Sequence, residues 1–192
     1  MSEPASRPTA GLPLTRRRVT AALAWTTLGA ATVGAASAFG EADDGLSKSK
    51  RPVPAKLLDE SPFVYVSPLK RDGSESTCHA ELWYAWLDDA VVVIVSSDRW
   101  KATALARGLD RARIWVGDHG VWKTWYGGRN EAFREAPSFV GHGARVKQDA
   151  LLERLLERYE TKYPAEIADW RDTMREGYAD GSRTLIRYTP VG

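Results

Sequence analysis

The stretch "AVVVIVSS", from Ala90 to Ser97, constrains the fold more than any other part of the chain. Val91 to Val95 are five consecutive β-branched apolar residues, a pattern typical of a strand that is buried on both faces. Asp88 and Asp89 come directly before it and predict a short turn. The preceding segment, "TCHAELWYAWL" from Thr77, is therefore predicted to pair antiparallel with this strand.

Further turn signals extend the sheet in both directions. Asp72 and Gly73 separate "PFVYVSPL" from the segment at Thr77, so the first three strands form an antiparallel meander. Three more strands are predicted from the segments "RARIWVG", "SFVGHGARV" and "SRTLIRYTP". Repeated βαβ units are missing, so the pattern predicts a mostly β fold, a six-stranded antiparallel barrel with peripheral helices.

Three helices are predicted around this barrel. The first begins after Asp98, which is expected to be its N-cap, and ends at Gly108. The third begins at Pro164 and is expected to end at Gly177. The second has a continuous apolar face, which consists of Leu151, Leu152, Leu155, Leu156 and Tyr159.

Residues 118–136 show no clear periodicity and are interpreted as a long loop. The loop contains Trp122 and Trp125. Loops of this length are usually functional or mobile, and the sequence leaves the role of this one open.

Residues 1–38 have the features of an export signal. Arg16, Arg17 and Arg18 precede a weakly apolar run, and Ala36-Ser37-Ala38 provides a small-residue cleavage site. The signal resembles the twin-arginine type, which implies export of a folded protein by the twin-arginine machinery to a periplasmic or other extracytoplasmic location. Retention as a membrane anchor is the alternative, but weak hydrophobicity favours cleavage without stable membrane association. Residues 39–56 are predicted to be a flexible linker, and residues 57–192 a single domain.

The charge balance, the cysteine count and the histidine spacing limit the function classes that the chain can belong to. The chain has 27 basic and 25 acidic residues, of which 23 and 24 remain after residues 1–38 are removed. This near-neutral domain gives no indication of nucleic-acid binding. Cys78 is the only cysteine, so an intramolecular disulfide is excluded. His79, His119 and His142 lie far apart in the sequence, and no metal site is predicted from their spacing.

Two groups of polar residues are candidate binding residues. Alternation along the second strand places His79, Glu81 and Trp83 on one face, which indicates a cleft or a partner surface. Ser96, Ser97, Arg99 and Lys101 lie where the third strand runs into a helix, and their hydroxyl groups and charges suit a phosphate. The alternative is that Asp98 only caps the helix and that the two cations are solvated.

The order of these segments resembles the pyridoxamine 5'-phosphate oxidase-like, FMN-binding split-barrel family. The family pattern begins with a strand, an Asp-Gly turn and a long second strand. It continues with a short turn, an apolar third strand and the segment "SSDRWK". The resemblance implies a homodimer with FMN in the groove between subunits. It implies that Ser96, Ser97, Arg99 and Lys101 bind the cofactor phosphate. It also implies that His79, Glu81 and Trp83 lie near the isoalloxazine ring, with Trp122 or Trp125 as further shielding residues.

Departures from the family pattern limit what the resemblance implies. The Arg-x-His substrate motif is missing at the C-terminal end, so oxidation of vitamin B6 is not expected. Ala104 stands where deazaflavin-using relatives often have Asn, and FMN is slightly favoured over a deazaflavin coenzyme. The predicted function is an exported flavin-dependent oxidoreductase with a small-molecule substrate, and no catalytic residue is identified. A non-catalytic flavin carrier, a haem-binding protein with one of the three histidines as axial ligand, and an interaction module without cofactor remain alternatives.

Overall fold

The structure of the protein is a computed structural model, and it describes residues 53–122 and 128–191. The described part is mostly β, with four α-helices and one short 3₁₀-helix (Ala132–Glu135). The strands are β1 (Val64–Pro68), β2 (Ala80–Leu82), β3 (Ala85–Leu87), β4 (Ala90–Ser96), β5 (Arg111–Val116), β6 (Ser138–Val146) and β7 (Arg183–Pro190). The helices are α1 (Ala55–Glu60), α2 (Trp100–Ala106), α3 (Asp149–Lys162) and α4 (Ile167–Asp180).

All seven strands belong to one antiparallel sheet with the order β2-β1-β5-β6-β7-β4-β3. Its two edge strands, β2 and β3, are separated along the chain only by Trp83 and Tyr84. Because two residues cannot span a flat sheet of this width, the sheet must curl until its edges meet. The predicted antiparallel barrel with peripheral helices is therefore confirmed, and the seventh strand arises because the predicted second strand divides in two.

The core lies on both faces of β4, as its sequence predicts. Val91, Val93 and Val95 pack inside the barrel with residues of β1, β5 and β7. Val92 and Ile94 point outward and pack under α3 and α4. The predicted apolar face of α3 is buried there in full: Leu151, Leu152, Leu155, Leu156 and Tyr159.

The break between β2 and β3 is fixed by Tyr163, directly after α3. Its hydroxyl group donates to the carbonyl of Pro62 at 2.6 Å and accepts from the backbone N–H of Tyr84 at 3.2 Å. The Trp83 ring stacks on the Tyr163 ring with centroids 4.6 Å apart. Successive side chains at the break thus point apart, with Trp83 toward α3 and Tyr84 into the barrel.

The predicted turns are confirmed, whereas one helix cap is wrong. Asp88 and Asp89 both have positive φ, as the common two-residue hairpin turn requires. Gly73 and Gly108 also adopt positive φ. Helix α2 begins at Trp100, its N-cap is Arg99, and no side chain caps it. Asp98 is therefore not the N-cap, because the chain enters the helix one residue later than predicted.

The predicted end of α4 at Gly177 is also wrong. The helix starts at Ile167 and continues to Asp180, where Gly181 adopts φ of 83°. Gly177 lies inside the helix, where a Cβ atom would come within 2.8 Å of the Arg183 side chain. Helix α1 and the 3₁₀-helix within the predicted loop were not anticipated from the sequence. In the described ranges, no helix has the length and apolar character needed to cross a membrane.

The partly buried Lys162 gives the fold a pH-dependent stability. Its ammonium group lies 3.6 Å from the centroid of the Tyr84 ring, and burial lowers its pKa to about 8. An unfolded lysine keeps its proton to about pH 10.4, so between these values the unfolded chain binds more protons and stability rises with pH. We expect the free energy of unfolding to increase by on the order of 1 kcal/mol from pH 7 to 9.5, after allowance for partial exposure.

Urea denaturation at several pH values measures this increase. Lys162→Met should reduce the rise of unfolding free energy with pH. Part of the rise should remain, because burial also lowers the pKa of Lys101. The exposed Lys56 provides the control, and Lys56→Met should follow the unmodified protein. Equal slopes for all three proteins would contradict the assignment to Lys162.

Candidate ligand groove between β4 and α4

A groove runs between the outer face of β4 and helix α4. Ile94 and Ser96 are two residues apart on β4, so their side chains lie on the same face of the sheet. Trp170, Met174 and Gly177 are spaced by four and three residues on α4, so they lie on one face of the helix. Together they line two adjoining cavities, and we call the combined space the β4–α4 groove.

The apolar end of the groove is a cavity of about 320 Å³, which is within the size range of small-ligand sites. Trp83 is held there by its stacking on Tyr163, and the Tyr159 hydroxyl donates to the Trp83 carbonyl at 2.8 Å. Trp170 is 47% exposed at the rim. The lining residues are Glu81, Leu82, Trp83, Ile94, Tyr159, Trp170 and Met174. This end offers flat aromatic surface to a planar ligand.

Glu81 carries the one carboxyl group among the residues that line the apolar end. Its Oε2 atom is shielded from solvent and has no hydrogen-bond partner among the described residues. Burial raises the pKa of Glu81 above the ordinary value of a glutamate. The carboxyl group therefore stays protonated to higher pH than usual, and in that form it can donate a hydrogen bond to a ligand.

The polar end of the groove is a cavity of about 460 Å³ with mixed charge. Ser96 and Ser97 line it, as do three carboxylates and the guanidinium group of Arg183. The Ser97 hydroxyl donates to the carbonyl of Gly181 at 2.7 Å and lies 2.7 Å from Thr184 Oγ1. The carboxylates belong to Asp98, Glu176 and Asp180. An anion at this end would have to lie near Arg183 and away from them.

Arg183 links the two ends of the groove. It lines the polar cavity, while its Cζ lies 5.8 Å from the centroid of the Trp170 ring at the apolar end. Gly177 leaves room for this path because it has no side chain where the Arg183 stem crosses α4. A glycine in a helix interior lowers the stability of the helix by about 1 kcal/mol relative to alanine. Such a residue usually has a packing reason, so Gly177 was a signal in the sequence that another chain segment approaches the helix there.

The four residues predicted to bind phosphate do not converge. Ser96 and Ser97 line the groove, whereas the Arg99 side chain is exposed, with its Nε 4.0 Å from Asp98 Oδ1. Lys101 is only 4% exposed, and its Nζ lies 3.9 Å from Sγ of Cys78. Burial lowers the pKa of Lys101. The ammonium group of Lys101 is thus directed toward Cys78 instead of the polar cavity.

His79 directly precedes β2 and lies outside the groove, although the sequence predicted that it shares a strand face with Glu81. It is buried beneath Trp122, with ring centroids 4.8 Å apart, and Nε2 lies 3.1 Å from Nη2 of Arg134. Burial and the Arg134 charge lower the pKa of His79. Trp122 therefore covers a histidine and not the groove, while Trp125 lies outside the described residues.

The remaining histidines do not join His79. His142 Nε2 lies 3.0 Å from Asp110 Oδ2 at the surface, and the backbone N–H of His119 donates to the Tyr65 hydroxyl. Burial raises the pKa of Tyr65 to about 12. Within residues 53–122 and 128–191, no three His, Cys, Asp or Glu side chains are grouped closely enough to hold a metal ion.

Comparison with known proteins shows similarity of fold only. The chain matches no protein-family model and no curated protein. Similar solved structures include a conserved hypothetical protein from Mycobacterium tuberculosis, with 17% identity, coverage of 72% of this chain and 78% of that chain, and a TM-score of 0.49. The haem storage protein HutZ from Vibrio cholerae has 10% identity, coverage of 72% and 87%, and a TM-score of 0.46. A FAD-binding protein from Mesorhizobium loti has 12% identity, coverage of 72% and 87%, and a TM-score of 0.45. At these values the similarity carries no conclusion about ligand or activity.

Proposed function

We propose that the protein is an exported flavin-dependent oxidoreductase of the pyridoxamine 5'-phosphate oxidase-like type, and that it holds FMN in the β4–α4 groove. One observation carries this proposal: two neighbouring cavities between β4 and α4 offer an aromatic lining at Trp83 and Trp170 and a polar lining at Ser96 and Arg183, whose Cζ lies 5.8 Å from the Trp170 ring. A ligand with a flat ring system and an anionic tail matches this arrangement.

The apolar end fits the ring system. Trp83 is fixed against Tyr163 and offers a rigid wall, while the exposed Trp170 can close over a ligand from the helix side. The Glu81 carboxyl group lies close to the Tyr65 hydroxyl and the backbone of Trp122, and its Oε2 atom, which has no partner among the described residues, would orient the polar edge of a ring. Ile94 and Met174 would shield the ring face from water.

The polar end fits an anionic tail only in part. Ser96, for which no side-chain hydrogen bond is formed within the described residues, and the guanidinium group of Arg183 would hold it. The carboxylates of Asp98, Glu176 and Asp180 would repel it. In this arrangement Lys101 and His79 have no contact with the cofactor, and Arg99 lies outside the cavity beside Asp98.

When bound, FMN supplies the two-electron chemistry, and the protein contributes binding, orientation and shielding. Export by the twin-arginine route, a homodimer and a small-molecule substrate complete the proposal, and they rest on the sequence features at Arg16 and Arg17 and on the order of strands. Binding of a deazaflavin coenzyme or of haem, which the sequence left open, would be distinguished by the experiment that follows.

The visible absorption spectrum of the protein purified from its own host tests this proposal. We expect the bands of an oxidised flavin, which bleach under a reductant and return with oxygen. Acid release followed by mass analysis should then give FMN. A haem spectrum, a deazaflavin, or a colourless protein that does not take up FMN during reconstitution would overturn the proposal.

A further inference from the structure

A third cavity lies at the end of the barrel, where β6 ends and β7 begins. It has a volume of about 170 Å³ and is separate from the two cavities of the β4–α4 groove, although Arg183 lines both spaces. We call it the basic pocket. Its polar lining is formed by Arg145, Lys147, Tyr178, Gly181, Arg183 and Thr184.

The charge of the basic pocket is of one sign. Three cations, Arg145, Lys147 and Arg183, line it, and no carboxylate does. In the part of the chain that the structure describes, none of the three forms an ion pair. The nearby Asp180 carboxylate accepts from the backbone N–H of Ser182 at 2.7 Å. The Arg183 guanidinium group lies near Trp170 in the groove, so Arg145 and Lys147 are the two cations that an anion in the pocket would meet.

The cationic side chains are oriented by contacts that leave donors unused. Arg145 Nη2 donates to Thr184 Oγ1 at 3.4 Å. Lys147 Nζ donates to the Tyr178 carbonyl at 3.4 Å and lies 4.7 Å from the centroid of that ring. An ammonium group has three donors and a guanidinium group five, so most of these donors remain for a ligand.

The hydroxyl protons beside the pocket are already used, because Ser97 donates to the Gly181 carbonyl and Thr184 therefore donates to Ser97 Oγ. Thr184 Oγ1 lies 2.7 Å from the Ser97 hydroxyl, so the basic pocket adjoins one of the serines that the sequence assigned to phosphate binding. A water molecule takes up about 30 Å³ in the liquid, so the pocket has room for one tetrahedral oxyanion with part of its hydration. Arginine forks and a lysine point charge are the usual partners of phosphate.

We propose that the basic pocket binds a phosphate-class oxyanion through Arg145 and Lys147. This proposal does not depend on flavin binding in the β4–α4 groove. The anion is either the phosphate group of a bound cofactor or a separate phosphorylated or inorganic ligand. In the first case the phosphate group would lie in the basic pocket, away from the carboxylates that line the groove.

Isothermal titration of the full chain with inorganic phosphate, at pH 7 and constant low ionic strength, tests the pocket. We expect saturable binding, which Arg145→Gln with Lys147→Gln weakens at least tenfold. The control, Arg111→Gln with Lys70→Gln, removes two exposed cations elsewhere and should change affinity less than twofold. Because Arg145 and Lys147 are exposed side chains, the variant should keep the thermal midpoint of the unmodified protein. Lack of saturable binding, or equal weakening in both variants, would overturn the proposal.

Competition identifies the source of the anion. If the phosphate is that of the cofactor, inorganic phosphate should compete with FMN but not with riboflavin, and the Arg145→Gln, Lys147→Gln variant should bind FMN no better than riboflavin. If the ligand is separate, FMN and phosphate should bind together, and the variant should lose phosphate alone. Failure of FMN to bind at all would leave the phosphate titration intact, so the two proposals fail independently.

Discussion

The Tyr163→Phe variant is expected to lose about 3 kcal/mol of unfolding free energy, because one hydroxyl group holds the break between β2 and β3. It donates to the Pro62 carbonyl at 2.6 Å and accepts from the Tyr84 N–H at 3.2 Å. Phenylalanine keeps the ring that stacks on Trp83 but leaves both backbone groups without this partner. A buried backbone group left without a partner costs about 1–3 kcal/mol, and two such groups give the expected loss.

Tyr188→Phe is the matched control for this prediction. Tyr188 is also buried, but its hydroxyl group has no hydrogen-bond partner among the described residues. Removal of that hydroxyl group should change stability by less than 1 kcal/mol. Urea denaturation followed by tryptophan fluorescence measures both variants at pH 7. Similar losses in the two variants would show that the bridge at the strand break does not stabilise the barrel.

Most of the fold could be predicted because its signals are local. The structure contains the strand predicted from the β-branched run of β4 and the turn predicted at Asp88 and Asp89. It also contains the helix predicted from the apolar face of α3. The break at Trp83 and Tyr84 could not be predicted in this way. Both residues suit a strand, and the break depends on Tyr163, which lies 79 residues further along the chain than Tyr84.

The site was harder to predict because its residues meet only through the sheet register. Ser96 and Arg183 are paired across β4 and β7, and no local pattern connects them. Lys101 shows the opposite relation, since it is close to Ser96 in sequence but is buried near Cys78. One residue corresponds to about 100° of rotation on a helix, so the late start of α2 changes which way its side chains point.

The Trp170→Ala variant is expected to bind FMN about tenfold more weakly than the unmodified protein while it remains equally stable. Stacking of an aromatic side chain on a heterocyclic base contributes about 1–3 kcal/mol, and tenfold corresponds to about 1.4 kcal/mol. Trp170 lies at the rim of the apolar end and is 47% exposed, so its removal leaves no cavity in the core. Loss of its contact with Arg183 would weaken binding in the same direction.

Trp100→Ala is the control for Trp170→Ala because both tryptophans lie on helices with an arginine over the ring. Arg107 Cζ lies 5.3 Å from the centroid of the Trp100 ring, but Trp100 is not part of the groove lining. Quenching of flavin fluorescence during titration of the apoprotein measures the affinity of each variant. If the ring binds at the apolar end, only Trp170→Ala weakens both FMN and riboflavin, because both carry the ring. Equal binding by Trp170→Ala and the unmodified protein would place the flavin ring elsewhere, and the β4–α4 groove would then lose its assignment as the cofactor site.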